Sequence, residues 1–200
     1  MKCKHAKKSD LDKVCDILAT AFFNEPVHVA IFPDENTRFN VLRRFFRLYA
    51  NLATERGGIL LAENNAGALV YFRPDGMEMT PEDAMQFDNK IREVCGENYE
   101  TAAALINGLD GYHPQNPPHY YISLLAVQPS ERGGKVVSEL FNELNAILDK
   151  EKFPCYAECT RYSTRTLIRR WGYRDAGSPL QVEGFNDLFP VWREPKQTAA

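Results

Sequence analysis

The chain has 200 residues, 44% of them hydrophobic and 26% charged, with a formal net charge of −3. A chain of this length can bury roughly two thirds to three quarters of its unfolded surface, so we expect a single domain over residues 1–200, and the acidic balance argues against a nucleic-acid binder, which carries a basic excess or stripe. No apolar run approaches membrane-spanning length and Met1-Lys2-Cys3-Lys4-His5 lacks the apolar core of a secretory leader, so no membrane association and a cytoplasmic location are expected.

Residues 3–6 read as a short first strand, and Ser9 or Asp10 caps a first helix. Leu11, Val14, Cys15, Ile17, Leu18, Ala21 and Phe22 recur at helical spacing and make its apolar face. The helix ends near Asn24-Glu25-Pro26, because a residue before proline is pushed out of helical geometry. Phe32-Pro33-Asp34-Glu35-Asn36 breaks the chain. A second helix then carries Phe39, Leu42, Phe45, Phe46, Leu48, Tyr49 and Leu52, an aromatic load that packs a core and can also wall a ligand pocket. It ends at Gly57-Gly58.

Residues 59–62 and 66–72 form two strands joined by the polar turn Glu63-Asn64-Asn65. Thr80-Pro81-Glu82-Asp83 has the pattern of a cap with proline in the first turn, and residues 85–94 and 99–109 read as helices inserted before a loop over residues 111–118. His113 and His119 end that loop, but neither has a Cys or carboxylate at ligand spacing, so no metal is expected there. The five cysteines, Cys3, Cys15, Cys95, Cys155 and Cys159, are odd in number and lack paired spacing, which fits reduced, buried thiols.

Residues 120–127 are aromatic or aliphatic almost throughout, as in a strand covered on both faces. Pro129 ends it. After Ser130-Glu131-Arg132-Gly133-Gly134-Lys135, the apolar residues Val136, Val137, Leu140, Phe141, Leu144, Ile147 and Leu148 put a long amphipathic helix over residues 134–150. A strand, a glycine turn and a helix N-terminus can hold an anion, since the first helical amides lack partners. The glycines can equally serve only the tight connection. Neither a nucleoside-triphosphate loop nor the dinucleotide pattern fits, because the required glycines and the Ser or Thr are missing.

Residues 153–160 then read as a fifth strand, residues 163–171 as a helix capped by Ser163, and residues 173–177 and 185–193 as a sixth and seventh strand. Glu158, in mid-strand, is a candidate general base if partly desolvated; otherwise it faces solvent or pairs with Arg161 or Arg165. Glu25 is a second candidate, for proton transfer or for attracting a cationic amine.

The stretch from Leu125 to Leu140 resembles the acyl-coenzyme A signature of the GNAT acyltransferase superfamily. Val127, Pro129, Arg132 and Gly133 agree with its strand end and pyrophosphate loop; Lys135 and Val137 stand where the family has small residues. Glu158 and Gly172-Tyr173 also match, whereas Thr164 replaces an Asn and Ile168 replaces the tyrosine that often protonates the departing thiolate. The resemblance implies a mixed, mostly antiparallel sheet of about seven strands flanked by helices, with a helical insertion between the third and fourth strands. The strands at Tyr120 and Cys155 should be parallel neighbours.

It further implies acetyl-CoA as co-substrate and a small-molecule or peptide amine as acceptor, with no metal. The cofactor would lie on the backbone of Leu125, Ala126 and Val127 and on Arg132, Gly133, Gly134, Lys135, Val136, Val137 and Ser138. Tyr162 or Tyr173 could serve as a displaced acid. A positive φ at Lys135 and crowding by Val137 would weaken coenzyme A binding. The competing reading is a non-catalytic module with this fold that binds a metabolite or a protein partner; Lys135, Val137 and Ile168 favour it. Oligomeric state is left open.

Overall fold

A computed structural model describes residues 2–196. Strand β1 (Cys3–His5) leads into α1 (Leu11–Phe22). The chain does not simply break after Pro26, as expected from its sequence. It forms a further short helix, α2 (Pro26–Ile31). Proline at a first helical position lacks only an N–H that would have had no partner, so the residue that stops α1 starts α2. Helix α3 (Glu35–Arg56) follows, its N-terminus capped by the Asp34 carboxylate, which accepts from the Asn36 N–H at 3.0 Å.

Gly57 and Gly58 close α3 and are also the first residues of β2 (Gly57–Ala62), two earlier than expected. A Cβ at Gly57 would lie 1.9 Å from the Tyr71 carbonyl oxygen, so close strand approach rather than helix termination alone demands glycine there. After β3 (Gly67–Phe72) comes the insertion, α4 (Pro81–Cys95) and α5 (Tyr99–Tyr112). The Thr80 hydroxyl accepts from the Asp83 N–H at 3.1 Å and caps α4. Helix α5 runs three residues past its expected end, taking in residues read as loop.

The remaining elements are β4 (Tyr120–Val127), α6 (Val136–Glu151), β5 (Cys155–Cys159), α7 (Tyr162–Ile168), β6 (Arg174–Asp175) and β7 (Phe189–Arg193). The last two strands are shorter than their apolar patterns suggested. Arg161, not Ser163, occupies the N-cap position of α7, without a side-chain cap.

The seven strands make one sheet in the order β1-β2-β3-β4-β5-β7-β6. Every pairing is antiparallel except β4 with β5, which are parallel and joined through α6. Helices α1, α3, α4 and α5 pack an apolar core against one face, and α6 packs Val136, Leu140, Phe141, Leu144 and Leu148 against the other.

Two features position the site. In β4, Ile122 pairs with Tyr71 and Leu124 with Val70, which leaves Ser123 as an extra residue, a β-bulge. It reverses the alternation of side chains, so Tyr121, Leu124 and Ala126 face the α1–α3 core while Ile122, Leu125 and Val127 face α6. The second is Arg38, only 5% exposed. Its guanidinium donates to the carbonyls of Phe32 and Pro33, both at 2.6 Å, and of Phe23 at 3.4 Å, tying the ends of α1 and α2 to α3.

Candidate active site

Strands β4 and β5 pair only at Tyr120 with Cys155, Tyr121 with Tyr156 and Ile122 with Ala157. Beyond Ile122 they part. The Gln128 N–H donates to the Ala66 carbonyl at 2.8 Å, so the alternation of an antiparallel ladder turns the amides of Leu124 and Ala126 towards β3 and those of Leu125 and Val127 towards the gap. The gap opens into a cavity of about 1150 Å³ that runs from the β4–α6 loop to the chamber under α4 and α5.

At the loop end, Arg132, Gly133 and Val137 line the wall. Gly133 has φ +80°, and a Cβ built on it meets nothing within 4 Å, so glycine is required by the backbone and not by a neighbour. Lys135 has φ −77°, an ordinary helical value; the expected strain at this position is absent because the left-handed residue is Gly133. The first helical bond of α6 is Glu139 N–H to Lys135 O at 3.0 Å, which leaves the amides of Val136, Val137 and Ser138 without helical acceptors. This combination fits a pyrophosphate.

Gly134 and the side chains of Lys135, Val136 and Ser138 are not part of the wall. Val136 is fully buried in the α6 core, where its helical spacing put it. Any part these four play is through their backbone. Arg132 also reaches across to α1, donating to the Ala21 carbonyl at 3.2 Å.

Glu158 faces the gap from β5. Its Oε1 is buried with no hydrogen-bond partner among the described residues, and burial pushes its pKa up to about 7. The Tyr121 and Tyr156 hydroxyls pull the other way without offsetting the burial. A carboxylate that titrates near neutrality in a cavity can take a proton and return it.

The other candidates fare differently. Glu25 lines the same cavity, but its carboxylate is engaged: Arg161 Nε donates to it at 2.7 Å and the Thr160 hydroxyl at 2.9 Å. It anchors the end of β5 to the α1–α2 turn. Tyr173 is 1% exposed, and its ring packs on Phe141 behind the sheet. Its hydroxyl lies by the Cys155 thiol and not at the cavity wall, so it has no access to a reacting sulfur. Tyr162 is 62% exposed and stacks edge-on against Phe189, also off the wall. Ile168, by contrast, does line the cavity, at 2% exposure, with Thr164.

Several wall residues carry no sequence signal of their own. Asp110, near the end of α5, lies on the chamber wall but stays exposed, and partial desolvation there raises its pKa. The loop after α5 folds His113 onto His119, Nε2 to Nε2 at 3.1 Å. The Pro117 carbonyl, 2.7 Å from His119 Nδ1, can only accept, so that nitrogen carries a hydrogen. Burial pushes His113 down to about 4 and keeps it uncharged near neutrality.

No family profile and no curated protein matches this sequence. Solved structures do match. The histone acetyltransferase HPA2 and related acetyltransferase of Corynebacterium glutamicum superposes with a TM-score of 0.70 at 21% identity, covering 100% of this chain and 98% of that one. Arylalkylamine N-acetyltransferase 2 of Aedes aegypti gives 0.63 at 12% identity over 98% and 99%. An agmatine N-acetyltransferase gives 0.61 at 12% identity over 96% and 98%. The chain has the fold of the GNAT acyltransferase superfamily.

Proposed function

We propose that this protein is an acyl-CoA-dependent N-acyltransferase that moves an acetyl group from acetyl-CoA to the amine of a small molecule. The observation that carries this reading is Glu158: a carboxylate whose Oε1 has no hydrogen-bond partner and whose pKa is pushed up to about 7, facing a strand gap in the same cavity as the Gly133 loop. A core carboxylate with no chemistry to perform is an expensive feature. The acetyltransferase fold of the neighbours supports the class of reaction, and the arylalkylamine and agmatine named for two of them fit a small amine acceptor.

In this reading the first-turn amides of α6 and the Gly133 turn hold the pyrophosphate, with Arg132 adding positive charge. The thioester supplies the acyl group and a competent leaving sulfur. Leu125 and Val127 offer outward amides along the gap, where a developing oxyanion can be stabilised. Glu158 takes one proton from the incoming ammonium, freeing the lone pair that forms the C–N bond as the C–S bond breaks. The second nitrogen proton reaches the departing sulfur through water, since Ile168 has none to give.

Calorimetric titration with acetyl-CoA and an assay of amine-dependent thiol release test the reading. Saturable binding and thiol release with at least one amine, lost in Glu158→Gln, are expected. Ile168 favours a second reading, a binding module without turnover. That reading is favoured by coenzyme A binding without thiol release to any amine, in both wild type and Ile168→Tyr.

A further inference from the structure

Charge is segregated along the cavity. Among the described residues, the only Lys or Arg side chains on its wall are Arg132, at the loop end, and Arg161, which is paired with Glu25. The chamber under α4 and α5 carries carboxylates instead. Asp110 has no hydrogen bond or ion pair from its carboxylate among the described residues, and it stands near enough to Glu158 for its charge to be felt there. Asp88 is taken up by the Tyr99 hydroxyl at 2.6 Å, and Glu78 stands exposed at the rim. Three histidines also line the cavity: burial pushes His28 and His113 down to about 4, and His119 stands against His113 at 3.1 Å.

The rest of the chamber is apolar and adaptable. Tyr49 and Phe87 meet edge to face at 5.5 Å on its wall. All three methionines among the described residues, Met77, Met79 and Met85, line it, and Met85 is 61% exposed. Unbranched thioether side chains repack around differently shaped apolar groups. Such a grouping on α4 and the segment before it marks the entrance for an apolar body.

Resting on the acyltransferase reading above, we propose that the acceptor is a lipophilic amine with a single positive charge: an ammonium at the part of the wall that carries Glu158 and Asp110, on an alkyl or aryl body lying against Tyr49, Phe87 and the methionines. A carboxylate on the acceptor would face two like charges with no arginine or lysine to meet it. A second cation on the same body would lie against Tyr49, Phe87 and the methionines, where Asp88 is already engaged by the Tyr99 hydroxyl and Glu78 stands out at the rim.

The test is calorimetric titration of the full chain with amines in the absence of acetyl-CoA, then thiol release with acetyl-CoA present. The probes are n-alkylamines of increasing length, phenethylamine, agmatine, spermidine and glutamate. Affinity should rise about fourfold per added methylene until the chamber is filled, with phenethylamine well above agmatine and spermidine, and glutamate not bound. Asp110→Asn should weaken alkylamine binding several-fold while leaving acetyl-CoA affinity unchanged.

Flat affinity along the alkyl series, or agmatine or spermidine binding as well as the lipophilic amines, overturns the inference even if acetyl-CoA binds and is turned over. Conversely, lipophilic amines that bind as stated to a protein that ignores acetyl-CoA would uphold the chamber's specificity and defeat the acyltransferase reading. If Asp110→Asn misfolds, the chain-length series on wild type still decides.

Discussion

Glu158 combines two consequences of burial that can be measured separately. Its pKa is raised from the ordinary 4.5 to about 7, so between those values the folded protein keeps a proton that the unfolded chain has lost. The stability contributed by the protonated form is therefore full below the lower value and is lost as pH rises through about 7. Glu158→Gln should flatten this loss, stabilising the protein at alkaline pH by up to roughly 3 kcal/mol in denaturant melts. In catalysis the same group must be ionised, so log kcat/KM should rise with pH and level off above about 7, and the variant should lack that limb.

At the loop, Lys135→Gly should not tighten coenzyme A binding, because φ at Lys135 is already negative. Val137→Gly should tighten it severalfold if the branched side chain on the cavity wall crowds the ligand; unchanged affinity by calorimetry would refute the steric account. Glu158 was readable as a candidate because a carboxylate inside an apolar strand run must be explained. Tyr173 misled for a related reason: a tyrosine two residues from a helix end looks available, while sequence does not show which side of the sheet its ring takes.

Among the elements, the long amphipathic helices α1, α3 and α6 were legible because their apolar residues repeat with the helical period over several turns. Short pieces were not. Helix α2 lies between two prolines, Pro26 and Pro33, and its six residues are too few for a period to show. Strand β6, at the sheet's edge, keeps only Arg174 and Asp175 in the ladder, and β7 starts at Phe189, where its pairing with Cys159 of β5 begins, four residues later than its apolar pattern suggested.

Arg38 was silent in the sequence, placed one residue before the apolar face of α3 begins. Burying its guanidinium against three carbonyls fixes how α1, α2 and α3 meet. Hydrogen bonds to a charged donor are worth more than neutral ones, so Arg38→Met should destabilise the protein by about 3 kcal/mol in chemical denaturation. Arg38→Lys should recover only part of this, since an ammonium cannot present the planar fork. Full recovery by lysine would mean that charge, not geometry, holds the junction.

At the scale of the whole molecule, the parallel β4–β5 pair was legible from one strand-turn-helix-strand stretch, because such a crossover has one favoured hand and a fixed neighbour relation. The cavity was not legible: its wall draws on α1 through α7, on residues far apart in sequence whose convergence depends on the packing of the α4–α5 insertion. If the cavity takes acetyl-CoA, ligand at a hundred times its Kd should add about 2.7 kcal/mol of stability. A thermal scan that is indifferent to acetyl-CoA at any concentration would remove the cofactor assignment.

The extra residue in β4 acts as a change of phase within a single strand. Up to Ile122, even-numbered residues look towards α6; from Leu124 onward, even-numbered residues look towards the cavity side. Anyone redesigning the wall must therefore edit odd positions before Ser123 and even positions after it. Removing Ser123 would bring the halves back into step without turning any side chain over: Leu124 would follow Ile122 directly and, with Ala126, keep the cavity side, while Leu125 and Val127 would still face α6. The lining would keep its composition; what would go is the bend of β4 just beyond Ile122, where it parts from β5.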